Sequence, residues 1–149
     1  VGRLDLASGH LSLVNAGHPD AVVFHPDGSY EMLPIARCRP LGLGTDATRS
    51  VEVQLGEGDV VLLHTDGVED ARSPTGGFFG PERLYELVAR LLREQVRLPE
   101  VLRLVVRDVL DHSVELADDA TAMLVGWRTG RHAIPPSIRP AVEGYGPSR

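Results

Sequence analysis

Two aspartates, Asp66 and Asp118, stand where the sequence passes between strand-like and turn-like text. Asp66 follows the carboxyl end of the apolar run Val60–His64, and Asp118 precedes the amino end of a second strand-like run, Thr121–Trp127. If those strands are antiparallel neighbours, both carboxylates emerge at one edge of a sheet. Two carboxylates converging there repel each other unless a proton or a cation intervenes. Hard oxygen ligands of this kind suit Mg²⁺ or Mn²⁺. Aspartate beside glycine, as in Asp66-Gly67, is also common turn chemistry, so spacing alone leaves a metal site and a pair of plain turns both open.

The other chemistry-bearing residues offer less. Cys38 is the only cysteine, which excludes an internal disulfide and a multi-cysteine zinc site. It lies between Arg37 and Arg39, but a cysteine phosphatase loop needs an arginine six positions on, where Gly44 stands. All 15 basic residues are arginine, so chemistry that needs a lysine amine is excluded, including a P-loop, a kinase and a pyridoxal Schiff base. The formal net charge of −6 argues against nucleic-acid binding, which needs a basic face. His18 and Asn15, in the turn Asn15-Ala16-Gly17-His18-Pro19, read either as residues at the edge of a site or as turn residues tied to nearby backbone. His64 is left out of the candidate site because its place in the strand points it away from Asp66 or into the core. The remaining histidines lack the spacing of a zinc hydrolase. Leu41-Gly42-Leu43-Gly44 is too short for a dinucleotide fingerprint.

The elements that would carry these residues can be read from periodicity. Strands are expected at Val1–Leu6, Leu11–Val14, Ala21–Phe24 and Tyr30–Ile35, as an antiparallel meander with a tight turn at Pro26-Asp27-Gly28. Val51–Leu55 alternates as a strand with one wet face. The continuous apolar run Val60–Leu63 suits a strand buried on both faces. Helices are expected from Pro81, with Leu84, Leu87, Val88, Leu91 and Leu92 on one stripe, and from Pro99, with Leu98, Val101, Leu102, Val105, Val109 and Leu110 on another. Arg90, Arg93, Arg97, Arg103 and Arg107 lie off the stripes and read as a solvated face rather than an anion-binding surface. Thr121–Trp127 is expected as a last, central strand, and 129–149 as a disordered tail rich in proline, glycine and arginine. The order of strands, two helices and a strand gives an α+β class. Nothing signal-like opens the sequence and no apolar run approaches a membrane span, so a cytoplasmic location without membrane insertion is expected.

Five segments then share one register: Asn15-Ala16-Gly17-His18-Pro19; Pro40-Leu41-Gly42-Leu43; Gly58 to Arg72 around His64-Thr65-Asp66-Gly67; Phe79-Gly80-Pro81-Glu82-Arg83-Leu84; and Asp118-Asp119-Ala120-Thr121. Over residues 1 to about 128 the chain resembles the bacterial SpoIIE/RsbU-like branch of the PPM (protein phosphatase 2C-like) metal-dependent serine/threonine phosphatases. The resemblance implies an antiparallel β-sandwich flanked by helices, with a dinuclear Mn²⁺ or Mg²⁺ centre at one end. The family's Thr-Asp-Gly aspartate falls on Asp66, beside Gly67, and the first aspartate of its late pair falls on Asp118; both would be metal ligands. Asp119 matches a variable position at the edge of the site. The acidic residue that follows Thr-Asp-Gly falls on Asp70, or on Glu69 with a one-residue shift, and neither receives a role.

The resemblance further implies hydrolysis of phosphoserine or phosphothreonine by a metal-activated water, with no catalytic side-chain nucleophile. The partner would be a phosphorylated regulatory protein of the anti-anti-sigma type. Family members carry an earlier Gly-Asp…Asp segment whose aspartate bridges the metals, and nothing before Val1 supplies it here. The chain is therefore expected to be a truncated, carboxyl-terminal part of the domain. A catalytically incomplete binding module of the same fold is the alternative.

Overall fold

A strand buried on both faces organises the molecule. The computed structural model describes residues 1–33, 39–40, 42–43, 50–113 and 119–129. The elements are β1 (Gly2–Leu4), β2 (His10–Leu13), β3 (Val22–Phe24), β4 (Tyr30–Met32), β5 (Val51–Gln54), β6 (Val60–His64), α1 (Asp66–Glu69), α2 (Pro81–Arg93), α3 (Leu98–His112) and β7 (Ala122–Gly126). They form two antiparallel sheets, ordered β1-β2-β5 and β4-β3-β6-β7. Successive side chains of a strand face opposite ways, so β6 feeds two cores. Val60 and Leu62 join Leu84, Val88, Val101 and Val105 of the helices, while Val61 joins Leu11, Leu13, Leu55 and Trp127 between the sheets. The result is a two-sheet sandwich with α2 and α3 on the outer face of the larger sheet. Each fully buried aliphatic or aromatic side chain, such as Phe24 or Leu62, stabilises this arrangement by roughly 1.5–3 kcal/mol.

Several expectations hold and some need correction. The β3–β4 hairpin turns where Asp-Gly predicts, with Gly28 at φ 86°, a region open to glycine and costly for other residues. The first strands are not one continuous meander. β2 pairs with β1 and β5, whereas β3 pairs with β4 and β6, because the Asn15–Asp20 turn carries the chain from one sheet to the other. β7 is not central: among the described residues it pairs with β6 alone, and Met123 is 52% exposed. Its apolar text reflects one face packed toward the inter-sheet side and the other toward α3. The short helix α1 was hidden, because Thr65-Asp66-Gly67 carries turn chemistry as readily as a first helical turn.

Cys38, Leu41, Gly44, the end of the expected fourth strand at 34–35, Asp118 and the tail from 130 onward lie outside the described residues. Thr129, first residue of the expected tail, is held by its backbone N–H and hydroxyl on the Glu57 carboxylate. No helix of the described residues is long and apolar enough to cross a membrane.

α2 ends in a Schellman motif: Gln95 N–H donates to Leu92 O at 2.9 Å and Val96 N–H to Leu91 O at 3.0 Å. The left-handed position, φ 57°, is filled by Gln95 where glycine is the usual occupant. The strain relieved by glycine exceeds the entropy it adds to the unfolded chain, so Gln95→Gly should stabilise the protein by about 0.5–1 kcal/mol. Urea unfolding checks this, as a raised midpoint at unchanged slope.

Candidate functional site at the end of β6

The ladder between β6 and β7 runs in register from Val60↔Gly126 to His64↔Ala122, and it does not stop there. Thr65 N–H donates to Thr121 O at 3.0 Å, Thr65 Oγ1 donates to Asp119 O at 3.0 Å, and Thr121 N–H donates to Thr65 Oγ1 at 2.9 Å. One hydroxyl, acting as donor and acceptor, thus extends the pairing past the last residues of both strands. A Cβ at Gly67 would lie 2.7 Å from Asp119 O, so the segment leading into β7 rests directly on the first turn of α1. The condition set by the sequence, that the two strands be antiparallel neighbours, is met.

Asp66 opens α1 and is exposed. Its carboxylate has no hydrogen-bond or ion-pair partner among the described residues. Asp118, its expected counterpart, lies outside the described residues; Asp119, the next residue, is exposed, with its backbone against Gly67. Asn15 is 5% exposed and stitches its own turn, donating from Nδ2 to His18 O at 2.8 Å and accepting from His18 N–H at Oδ1 at 2.9 Å. Asn15 thus ties its own turn to the backbone of His18, and His18 is exposed at the rim of the neighbouring cleft. A cleft of about 470 Å³ opens next to Asp66, lined among others by His18, Asp20, Glu69, Glu82 and Tyr85.

Beneath it lies a polar cluster that the sequence reading left unassigned. His64 Nε2 is 2.6 Å from Glu69 Oε1, and the Tyr85 hydroxyl donates to the same oxygen at 3.2 Å. The imidazole is fully buried, and its Nδ1 has no partner among the described residues. Tyr85 stands edge-on to both His64, at 5.9 Å between ring centres, and Tyr30, at 5.8 Å. Burial first, and then the Glu69 carboxylate, push the Tyr85 phenol above its ordinary range. The only trace of this cluster in the sequence is a histidine closing an apolar strand with an acid five residues on.

The donor chemistry suits a hard divalent cation, because an exposed, unpartnered aspartate at a sheet end is an oxygen ligand in waiting. Among the described residues, however, no group of three or more His, Cys, Asp or Glu side chains converges on one point. Of the two carboxylates that the sequence analysis singles out, Asp66 and Asp118, the described residues include Asp66.

A family model described as stage II sporulation protein E (SpoIIE) matches residues 1–128. Protein IcfG of Synechocystis sp. is 29% identical over 125 residues, which are 83% of this chain and 19% of that protein. The solved RsbU and RsbW domains of Rv1364c from Mycobacterium tuberculosis superpose with a TM-score of 0.66 at 25% identity, over 85% of this chain and 35% of that one. The SiaA-PP2C domain of Pseudomonas aeruginosa gives 0.66 at 27% identity, over 79% and 46%. A Mn-presoaked SpoIIE phosphatase domain from Bacillus subtilis, at 15% identity and a TM-score of 0.61 over 87% and 56%, shares the fold. The chain therefore spans about a fifth of the curated relative, and between about a third and just over a half of these solved chains.

Two outcomes follow from the geometry. Gly67→Ala forces a Cβ onto Asp119 O, so it should destabilise the protein by about 1–3 kcal/mol, read by urea unfolding. The raised Tyr85 phenol binds its proton more tightly in the folded state than in the unfolded one. Its contribution to stability is therefore complete below the ordinary tyrosine range and is lost as pH climbs through the folded value. In an ultraviolet phenolate titration Tyr85 should ionise above the ordinary tyrosine range, and Glu69→Gln should bring it down.

Proposed function

The chain belongs to the SpoIIE family of PP2C-like phosphatase domains, and from that premise we propose that it is part of a metal-dependent protein serine/threonine phosphatase. The single observation that supports this most is the Asp66 carboxylate: exposed, without a partner among the described residues, and fixed at the strand end by the Thr65 bonds to 119–121. In this reading Asp66 and Asp118 hold a divalent ion, Mn²⁺ or Mg²⁺. When bound, such an ion neutralises charge on phosphoryl oxygens and acidifies water, which removes the need for a side-chain nucleophile.

The chain's own residues do the positioning. Thr65 ties the strand that carries Asp66 to the segment that follows Asp118, and Gly67 lets the two backbones approach. Asn15 holds the turn that places His18 at the rim of the cleft. The partner in this reading is a phosphorylated regulatory protein of the anti-anti-sigma type, in line with the similarity to an RsbU domain. Residues 1–128 would be the phosphatase portion and 129–149 an appended tail.

A second reading, a binding module without turnover, draws on the absence of three converging ligands among the described residues. Hydrolysis of a phosphoserine peptide with Mn²⁺ separates the two. Turnover that is lost on chelation, and that falls by about a hundredfold or more in Asp66→Asn, supports the phosphatase. Binding of the phosphopeptide without turnover, unchanged in Asp66→Asn, supports the module.

A further inference from the structure

Asp66 sits on a helical turn too short to hold itself. α1 has four residues, and the backbone bond that closes it runs from Asp70 N–H to Asp66 O at 2.8 Å. A single turn carries the whole cost of nucleating a helix and almost none of the gain from extending it. The usual remedy is a capping side chain, yet Thr65 at the N-cap makes no such bond. Its hydroxyl serves Asp119 and Thr121 instead.

The turn is closed from the other side. His64 is the last residue of β6 and Glu69 the last of α1, so the 2.6 Å contact between Nε2 and Oε1 joins the two ends of the stretch that contains Asp66. His64 is anchored in the sheet by complete burial of its ring. Tyr85 fastens the same Glu69 oxygen to α2, and Gly80 N–H reaches Glu69 O at 3.0 Å. An apolar residue at position 64 would fill the same space without leaving a buried ring nitrogen unpartnered. The ring's other nitrogen, Nε2, carries the polar contact of this buried imidazole, to Glu69.

We propose that His64 and Tyr85, acting through Glu69, are positioning residues that fix where the Asp66 carboxylate stands. The inference rests on the reading of Asp66 as a metal ligand. Groups that orient a ligand in this way typically change metal affinity by about ten- to a hundredfold when removed.

The test uses the 149-residue chain with Glu69→Ala, Glu69→Gln and Tyr85→Phe, and two readouts. Without metal, hydrogen exchange of the Asp70 amide should speed up by about tenfold or more in Glu69→Ala, while the β6–β7 ladder amides keep their wild-type rates. Glu69→Gln should recover most of the protection, because its amide oxygen still accepts from Tyr85 and His64. Tyr85→Phe, which keeps the ring packing, should show the same loss on a smaller scale. With Mn²⁺, calorimetry should give an affinity weakened by about ten- to a hundredfold in Glu69→Ala and restored in Glu69→Gln. Unchanged Asp70 exchange in both Glu69→Ala and Tyr85→Phe overturns the proposal. So does equal acceleration across the ladder, which would make Glu69 a support of the whole fold. If the wild-type chain binds no Mn²⁺, the metal reading falls, and the exchange data still decide whether the bridge holds Asp66.

Discussion

The structure depends on the antiparallel pairing of β6 with β7 and on its continuation through the Thr65 hydroxyl. Like β3, β6 places apolar side chains in both cores, and it ends at the polar site; its residues Val60 to Leu62 are almost completely buried. A strand gripped on both faces cannot slip by one residue without exchanging its two sets of side chains. That fixed register is transmitted to the strand end, where three hydrogen bonds at Thr65 hold the 119–121 segment beside Asp66. The exposed aspartate is thus placed by a strand whose register is fixed on both faces, the arrangement a ligand site needs.

Rigidity at the end of β6 contrasts with what lies above it. α1 is a single turn, and a cleft opens beside it. Below the turn, Glu69 gathers contacts from the sheet through His64 and from α2 through Tyr85. Packing in the core and polar contacts at the rim are therefore one system, because Tyr85 belongs to the helix-side core and also donates to Glu69. Family membership over residues 1–128 and the superposition on the RsbU and SiaA-PP2C domains agree with this layout.

Much of this was legible in the sequence, and for physical reasons. The unbroken apolar run at 60–63 announced a strand buried on both faces, and the prolines at 81 and 99 with the helical stripes gave the starts of α2 and α3 to within a residue. Thr-Asp-Gly and the register of five segments gave the family. The division of the early strands between two sheets was not legible, because alternation reports which face is wet and not which sheet a strand joins. The edge position of β7 was hidden for the same reason: one face packs between sheets and the other under α3, so its text resembles that of a central strand. The His64–Glu69–Tyr85 cluster was missed because its members lie on three elements whose approach only the fold decides.

Titration of the chain with Mn²⁺, followed by paramagnetic broadening of backbone amide resonances, tests the central claim most directly. The account predicts that the amides of Asp66, Gly67 and Asp119 broaden first, that those of Gly58 and Gly126 at the far end of β6 and β7 stay sharp, and that Asp66→Asn removes the effect. Broadening centred away from the end of β6, or unaltered in Asp66→Asn, would contradict it.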